Sequence, residues 1–285
     1  LNNNDSILFD WALSHKDELN LLFTQLDWAK TSSLAFKSIM VSIKLNDVKA
    51  DGYANHFDGN LAIIIALSEA LERYFMYQTG LSHTNGLAVH TSKEQSIINS
   101  QRELLERDHV LYHLIRSEAL ALYPLDEAEL QRQLEKDYNL SLNVYRGHQF
   151  GDNIPLVIVA RDNEYVQFSS LLGAEKEKFE REMISAAQRL VFERTSLSPF
   201  SKVPDSLFLE KSNLAHYYLS PVIHTHTTHI SSALQEKCFK SCPLWVSHST
   251  SDDLQNLIIG PIRQEHINTK RFPGITIQND FNIYG

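Results

Sequence analysis

Apolar and polar residues alternate along this chain with two different periods. Residues 6–28 set Ile7, Leu8, Trp11, Leu19, Leu22, Phe23 and Leu26 among polar neighbours at helical spacing, which predicts one or two N-terminal helices. The bulky run 39–45 predicts a strand, and Asp51-Gly52 and Asp58-Gly59 read as turns. Helices are predicted over 60–77, 92–115, 127–138 and 175–192, with Pro124 as punctuation before the third. Strands are predicted at 156–160, after Pro155, and at 165–172, ended by Gly173, with shorter ones at 221–223 and 244–246. The stretch 257–285, with Gly260-Pro261 and Pro273-Gly274, reads as mostly loop. Alternating helices and strands predict an α/β (mixed α+β) architecture. No linker-like or low-complexity stretch interrupts it, so one domain over 1–285 is expected. Its parts are N-terminal helices and a first strand in 1–50, core helices in 60–116, and the remaining sheet and helices in 117–285.

The helix over 60–77 has an unusual make-up. Its upstream half, Leu61-Ala62-Ile63-Ile64-Ile65-Ala66-Leu67, is apolar on every side, as in a buried helix. Directly after it comes Ser68-Glu69-Ala70-Leu71-Glu72-Arg73-Tyr74. The next helix repeats the Glu-x-x-Glu-Arg pattern in Arg102-Glu103-Leu104-Leu105-Glu106-Arg107-Asp108. Residues three apart project from one helix face, so each glutamate pair can converge on one point. At about 100° per residue, Ala62 and Ile65 share the face of Glu69 and Glu72, so this pair is expected to extend a buried stripe. The face of Glu103 and Glu106 continues upstream as Asn99 and Gln95, an ordinary polar ladder opposite Ile97, Ile98, Leu104 and Leu105. Buried carboxylates need cations or hydrogen bonds, and a ladder of amide and carboxylate oxygens suits hard cations such as Mg²⁺. Taken singly, either motif is the ion-paired pattern common on helix surfaces. Two of them, one on a buried helix, point to a site.

Composition narrows the choice of ligand. The 285 residues, 43% hydrophobic and 21% charged, suffice for a sizeable core and are neither disordered nor collagenous. A net charge of -9 speaks against nucleic acid as partner, but not against a nucleotide, whose phosphates Mg²⁺ reconciles with acidic side chains. Two cysteines, Cys238 and Cys242, supply no disulfide framework and point to a reducing compartment. No 18-residue apolar run is present, so no membrane span is expected. Leu1-Asn2-Asn3-Asn4-Asp5 lacks the features of a signal peptide. A cytoplasmic protein is expected, and a start at Leu suggests a piece of a longer one.

The segment 68–74 resembles the first signature of the YcaO family. Thr84-Asn85-Gly86-Leu87-Ala88-Val89-His90, followed by Glu103-Leu104-Leu105-Glu106-Arg107-Asp108, resembles the second. A further similarity runs from Asp252-Asp253-Leu254-Gln255 through Gly260-Pro261 to Ile267-Asn268 and Arg271. The resemblance is densest over 60–116, with support at 165–192 and 244–272. It implies a YcaO-like domain, with helices packed on sheets around an ATP site. Glu69, Glu72, Glu103 and Glu106 would hold Mg²⁺, Arg73 and Arg107 would support the phosphates or orient those glutamates, and Gln95, Asn99 and Arg189 would lie close by. Where Gln95 stands, family members often carry a glutamate.

The implied activity is that of an ATP-dependent cyclodehydratase. A Cys, Ser or Thr of a ribosomally made precursor peptide attacks the preceding carbonyl, and ATP activates the amide-derived oxygen so that a thiazoline or oxazoline forms. Some relatives make a thioamide instead, and a non-catalytic scaffold subunit of a peptide-modifying complex is the alternative from another class. The implied partners are the precursor peptide, a leader-binding protein, a flavin-dependent dehydrogenase and a second copy of the chain. The sequence departs from the family twice. Its two signatures lie only 34 residues apart (69 to 103), so either a layer is missing or residues near 77–80 are absent from the sequence. The proline-rich carboxyl terminus of peptide-cyclising members is also replaced by Asn282-Ile283-Tyr284-Gly285.

Other signals compete less well. His224, His226 and His229 with Cys238 and Cys242 carry zinc-type ligands, but the irregular His spacing and Cys-x-x-x-Cys favour a partly exposed strand or loop. Gly147 and Gly151 form no phosphate loop, and no Gly-x-Gly-x-x-Gly is present. Asp108 and His109, which follow the second motif, are expected to be structural.

Overall fold

The computed structural model describes residues 3–81, 83–116, 120–123, 128–147, 154–163, 165–173, 175–194, 208–209, 230–235, 242–255 and 264–274. The strand expected at 221–223, His224, His226, His229, Cys238, Gly151, Pro124 and Gly260-Pro261 lie outside them. In chain order the elements are α1 (Asn3–Ser14), β1 (Leu22–Gln25), a 3-10 turn (Asp27–Thr31), β2 (Lys37–Leu45), β3 (Val48–His56), α2 (Gly59–Thr79), β4 (Leu87–His90) and α3 (Lys93–Arg116). There follow β5 (Leu120–Leu122), α4 (Ala128–Tyr138), β6 (Ser141–Arg146), β7 (Pro155–Arg161), β8 (Val166–Leu172), α5 (Lys176–Glu193), β9 (Phe208–Leu209), β10 (Ser231–Gln235), β11 (Trp245–Thr250) and a 3-10 turn (Gln264–His266). They form two compact units, Leu1–Leu104 with Ile230–Thr250, and Leu105–His229 with Ser251–Gly285. The helix α3 begins in the first and ends in the second.

In the first unit the sheet β1-β2-β3 is antiparallel. The helical reading of 6–28 holds only as far as Ser14. Asn20 adopts a left-handed φ of 44°, and the Lys44 amide donates to the Leu19 carbonyl at 2.8 Å, which lays the following residues beside β2. Leu22 through Gln25 then pair with Ser42 through Ile39. The turn expected at Asp51-Gly52 is also displaced. The β2–β3 hairpin closes instead at Asn46-Asp47, with φ of 49° and 64°, the doubly left-handed two-residue turn that Asn and Asp tolerate. Gly52 sits in mid-strand for a different reason. A Cβ there would lie 2.0 Å from the Ala66 carbonyl oxygen and 2.4 Å from the Ala70 nitrogen. Ala62, Ala66 and Ala70, all at 0% exposure, form the stripe of α2 that faces the core, so helix and strand meet almost backbone to backbone.

Asp58 starts α2 by accepting from the amides of Asn60 (2.8 Å) and Leu61 (3.3 Å), and Gly80 ends it at φ 70°. A short connection then leads to β4, in the three-stranded antiparallel sheet β10-β11-β4. One face of this sheet gives Leu87, Val89 and Val246 to the core around α2. The other carries Ser247 and Ser249, whose hydroxyls meet those of Ser96 (3.0 Å) and Ser100 (2.7 Å) on α3. Gly86 is required here twice over, by its φ of 71° and by the Ser249 carbonyl oxygen 2.3 Å from where a Cβ would stand.

In the second unit the sheet runs β8-β7-β6-β5-β9, antiparallel except for the parallel pair β5–β9. The inner strand β7 is buried on both faces, which explains its continuous apolar run. Val157 and Val159 pack with Val110, Leu111, Tyr112 and Ile115 of α3 and with Ile267 and Phe272. By alternation, Ile158 and Ala160 face the opposite side, where α5 lies against β7 and β8. The helices expected over 127–138 and 175–192 fall within a residue or two of α4 and α5. Strands β5 and β6 were not predicted. β5 has only three residues, and β6 follows α4 with only Asn139, at φ 49°, and Leu140 between them.

Candidate nucleotide site

The two Glu-x-x-Glu-Arg motifs lie on α2 and α3, as their spacing requires. Glu69, Glu72 and Glu103 belong to the first unit and Glu106 to the second. On α2, close contact at Gly52 brings the motif to the outer edge of β3. The Tyr53 amide donates to Glu69 Oε2 at 2.8 Å, and Arg73 donates to Glu69 Oε1 at 2.6 Å. The other guanidinium nitrogen donates to the Asp51 carbonyl at 2.8 Å, and the guanidinium lies 5.5 Å from the Tyr53 ring centre. Residues 51 and 53 share a parity, so these backbone groups are those that β2 leaves unpaired. Burial pushes the nearby Asp51 carboxyl up, but the Ser42 hydroxyl, Lys49 and Arg73 outweigh it and hold the group below the usual carboxylate range.

The expected burial of the two motifs is reversed. The Glu69 side chain is 33% exposed, because α2 turns its alanine stripe, not its glutamates, into the core. Glu106, placed by the sequence on an ordinary polar ladder, is only 5% exposed. Its surroundings come from β8 and α5. The Ser170 hydroxyl donates to Glu106 Oε1 at 3.1 Å, and the Lys178 ammonium donates to Oε2 at 3.1 Å. Arg107 donates to the same Ser170 oxygen at 3.3 Å, so Arg107, Ser170, Glu106 and Lys178 form one hydrogen-bonded chain. β8 is an edge strand of its sheet. Its alternation sends Ser170 to α3, whereas Ser169 meets Glu182 of α5.

Lys178 and Ser170 carried no mark in the sequence. Lys178 lies in Glu175-Lys176-Glu177-Lys178, which reads as a solvated charge run, and Ser170 is one of two serines in a strand. Only the long-range pairing of β8 beside α3 reveals them. Upstream on α3, Gln95 donates to Asn99 at 2.7 Å, which forms the first step of the expected polar ladder. Glu72 and Glu103 are partly buried. Arg189 donates to the Phe168 carbonyl at 2.7 Å, and it stands eleven residues beyond Lys178 on α5, about 16 Å along the helix axis.

Asp108 and His109, which follow the second motif, are both buried. Asp108 is fully buried and accepts from the Gln255 amide (2.8 Å) and from Arg271 (2.8 and 3.2 Å). Burial pushes its carboxyl up, against the pull of Arg271 and the Gln255 amide. The Arg271 guanidinium lies 5.0 Å from the centre of the Tyr112 ring. Gln255 and Asn268 bond each other, with the Asn268 amide on Gln255 Oε1 at 2.8 Å. Residues 252–255 and 264–271 are thereby fastened to α3. Burial, with Arg271 and His113 adding to it, pushes His109 down to about 3, so its imidazole is neutral near neutral pH.

The donor set fits a hard cation at Glu106. A carboxylate offers about four acceptor directions, and two are filled here. The position already holds a positive charge in a poorly hydrated setting. Among the described residues no three His, Cys, Asp or Glu side chains are placed to hold a metal by themselves. Mg²⁺ does not require that, since it is commonly held by one or two carboxylates together with phosphate oxygens and water. Cys242, the described member of the His and Cys group that carries zinc-type ligands, is buried. Among the described residues no helix is long and apolar enough to cross a membrane.

No protein-family model matches this sequence. No curated protein matches it either. Solved structures do. The fold is similar to that of YcaO from Methanopyrus kandleri bound with AMPPCP and Mg²⁺, at a TM-score of 0.63 and 11% identity, covering 88% of this chain and 91% of that one. It is also similar to a heterocyclase in complex with substrate and cofactor, at a TM-score of 0.60 and 10% identity, covering 89% of this chain and 52% of that one. This chain therefore spans about half the length of that heterocyclase. At such identities the likeness is one of architecture: the chain has the mixed α/β fold of YcaO.

Proposed function

We propose that this chain binds ATP with Mg²⁺ and uses it to activate a backbone amide of a ribosomally made precursor peptide, yielding a thiazoline or oxazoline from Cys, Ser or Thr. The observation that carries the reading is the buried Glu106 carboxylate, held by Ser170 and Lys178, on a fold shared with a YcaO bound to AMPPCP and Mg²⁺. A peptide as second ligand agrees with the substrate complex of the similar heterocyclase. In this reading Glu106 and Glu103, three apart on α3, are the carboxylates offered to the metal, while Glu69 and Glu72 carry the first signature on α2. Gln95 and Asn99 belong to the same polar ladder.

When bound, the metal–nucleotide supplies a phosphoryl group that turns the amide oxygen into a leaving group. The chain's own part is positional. Ser170 fixes one oxygen of Glu106, so the other is held towards a cation. Arg107 is aimed by the same hydroxyl, and its charge is held ready for phosphate oxygens. On α2, Arg73 locks Glu69 against β3 and would have to share that carboxylate with any metal. The nucleophile belongs to the peptide, so the chain needs no triad. A leader-binding partner, a flavin-dependent dehydrogenase and a second copy of the chain are the partners this reading brings with it.

Calorimetry with Mg-AMPPCP tests the assignment. The wild-type chain is expected to bind, and Glu106→Gln to weaken binding at least about tenfold with an unchanged circular dichroism spectrum. Equal affinity in the two proteins removes Glu106 from the site.

A further inference from the structure

We propose that Lys178 is the resting counter-ion of the nucleotide site. Its ammonium neutralises Glu106 when no metal is there and transfers to a phosphate oxygen when Mg-nucleotide arrives. The inference rests on the ATP reading and assigns that site a residue which the sequence did not suggest.

The first argument is burial. Lysines in the surface ion pairs of this chain are well exposed: 62% for Lys30, 55% for Lys44, 62% for Lys49, 70% for Lys176 and 68% for Lys270. Lys178 is 22% exposed, against a carboxylate at 7%. A lysine is seldom drawn in so far without a specific partner. The second argument is its place on the helix. Lys178 is the third residue of α5, and the amide end of a helix carries partial positive charge. A cation there opposes the helix dipole, so its position answers to Glu106 and not to α5. The third is connectivity. Ser170 holds the other Glu106 oxygen and is itself approached by Arg107, the residue read as a phosphate support. The ammonium thus stands one carboxylate away from the group that would meet the triphosphate.

These facts set a contest at Glu106 Oε2. An ammonium and a divalent cation on one oxygen repel each other, so Mg²⁺ alone must displace Lys178 without giving it a new partner. Mg-nucleotide brings its own anion. The flexible four-carbon stem then lets the ammonium swing to a phosphate while the metal takes the carboxylate. Lys178 would therefore oppose bare metal and favour the metal–nucleotide pair.

Removing the charge should move the two affinities in opposite directions. In Lys178→Met, Mn²⁺ alone, followed by electron paramagnetic resonance, is expected to bind at least about tenfold tighter than in wild type. Mn-AMPPCP is expected to bind at least about tenfold weaker, with Lys178→Arg near wild type for both. A lysine that merely braces the fold leaves Mn²⁺ affinity unmoved, and that result overturns the proposal. A second measurement uses the unaltered protein, in case the variant folds poorly. Amine acylation of Lys178, read by peptide mass spectrometry, should rise with Mg²⁺ alone and fall with Mg-AMPPCP. Labelling indifferent to both overturns the proposal as well. Failure of wild type to bind Mg-AMPPCP refutes the ATP reading and with it the transfer to phosphate, whereas the Mn²⁺ response of the methionine variant still decides whether Lys178 competes with a cation for Glu106.

Discussion

The motifs on α2 and α3 share four of five letters and almost nothing of their surroundings. Both reach the edge of a sheet. On α2, Glu69 and Arg73 form an i,i+4 pair that is about one-third exposed, and together they bond one amide and one carbonyl of β3. On α3, Glu106 is buried, and its partners are side chains from two other elements, Ser170 and Lys178. The first motif is tied to backbone, the second to groups that can move. An arginine–glutamate pair satisfied by strand backbone resists rearrangement. A carboxylate faced by a lysine can exchange one cation for another, and that is the property a metal–nucleotide site needs.

The comparison can be broken most forcefully at Gly52. Gly52→Ala would set a Cβ 2.0 Å from the Ala66 carbonyl oxygen and force α2 away from β3. A loss of about 3 kcal/mol or more is expected in urea unfolding. A loss under about 1 kcal/mol would show that the α2 motif is not held to the strand by this contact. Next in size is a pair of truncations. Glu106→Ala leaves Lys178 without its counter-ion and should cost about 3 kcal/mol, whereas Glu69→Ala at its more exposed position should cost about 1 kcal/mol. Equal losses would erase the distinction between the two environments.

A further difference concerns acid. Only the α3 motif leads into a buried imidazole, His109, whose folded value near 3 lies below the ordinary 6.5. The unfolded chain binds more protons between those values, so this contribution is complete above 6.5 and is lost as pH falls towards 3. From pH 7 to pH 5 the protection of α3 and β7 against amide hydrogen exchange should drop by about 2 kcal/mol, and His109→Phe should flatten the change. Asp108, raised by its burial, acts in the opposite sense, so the variant and not the raw slope carries the test. An unflattened profile would place the acid sensitivity elsewhere.

Much of this architecture was legible from periodicity. The long helices α2, α3 and α5 and the continuous apolar strand β7 follow from local pattern. What misled were short-range coincidences. Leu19, Leu22 and Phe23 have helical spacing, yet a left-handed Asn20 turns them into a strand approach. Asp51-Gly52 looks like a turn, but the glycine is needed for a passing helix, a fact no local window contains. Burial of the glutamates was inferred from their own helices. It is decided by what packs on them: alanines direct Glu69 outward, and β8 with α5 encloses Glu106. Thr84-Asn85-Gly86 and Glu103 to Asp108 were recognised as a pattern, and only the strand geometry explains why Gly86 cannot be replaced.

The bonding of Glu69 and Arg73 to β3 has a consequence for how this sheet can grow. Side chains already fill the hydrogen-bonding slots that an incoming strand would use at Asp51 and Tyr53. Among the described residues no strand lies beyond β1, whose four residues are all exposed. An extended segment joining at β3 would have to displace Arg73 and Glu69 from these two positions, so the Leu22–Gln25 side is the edge more open to growth.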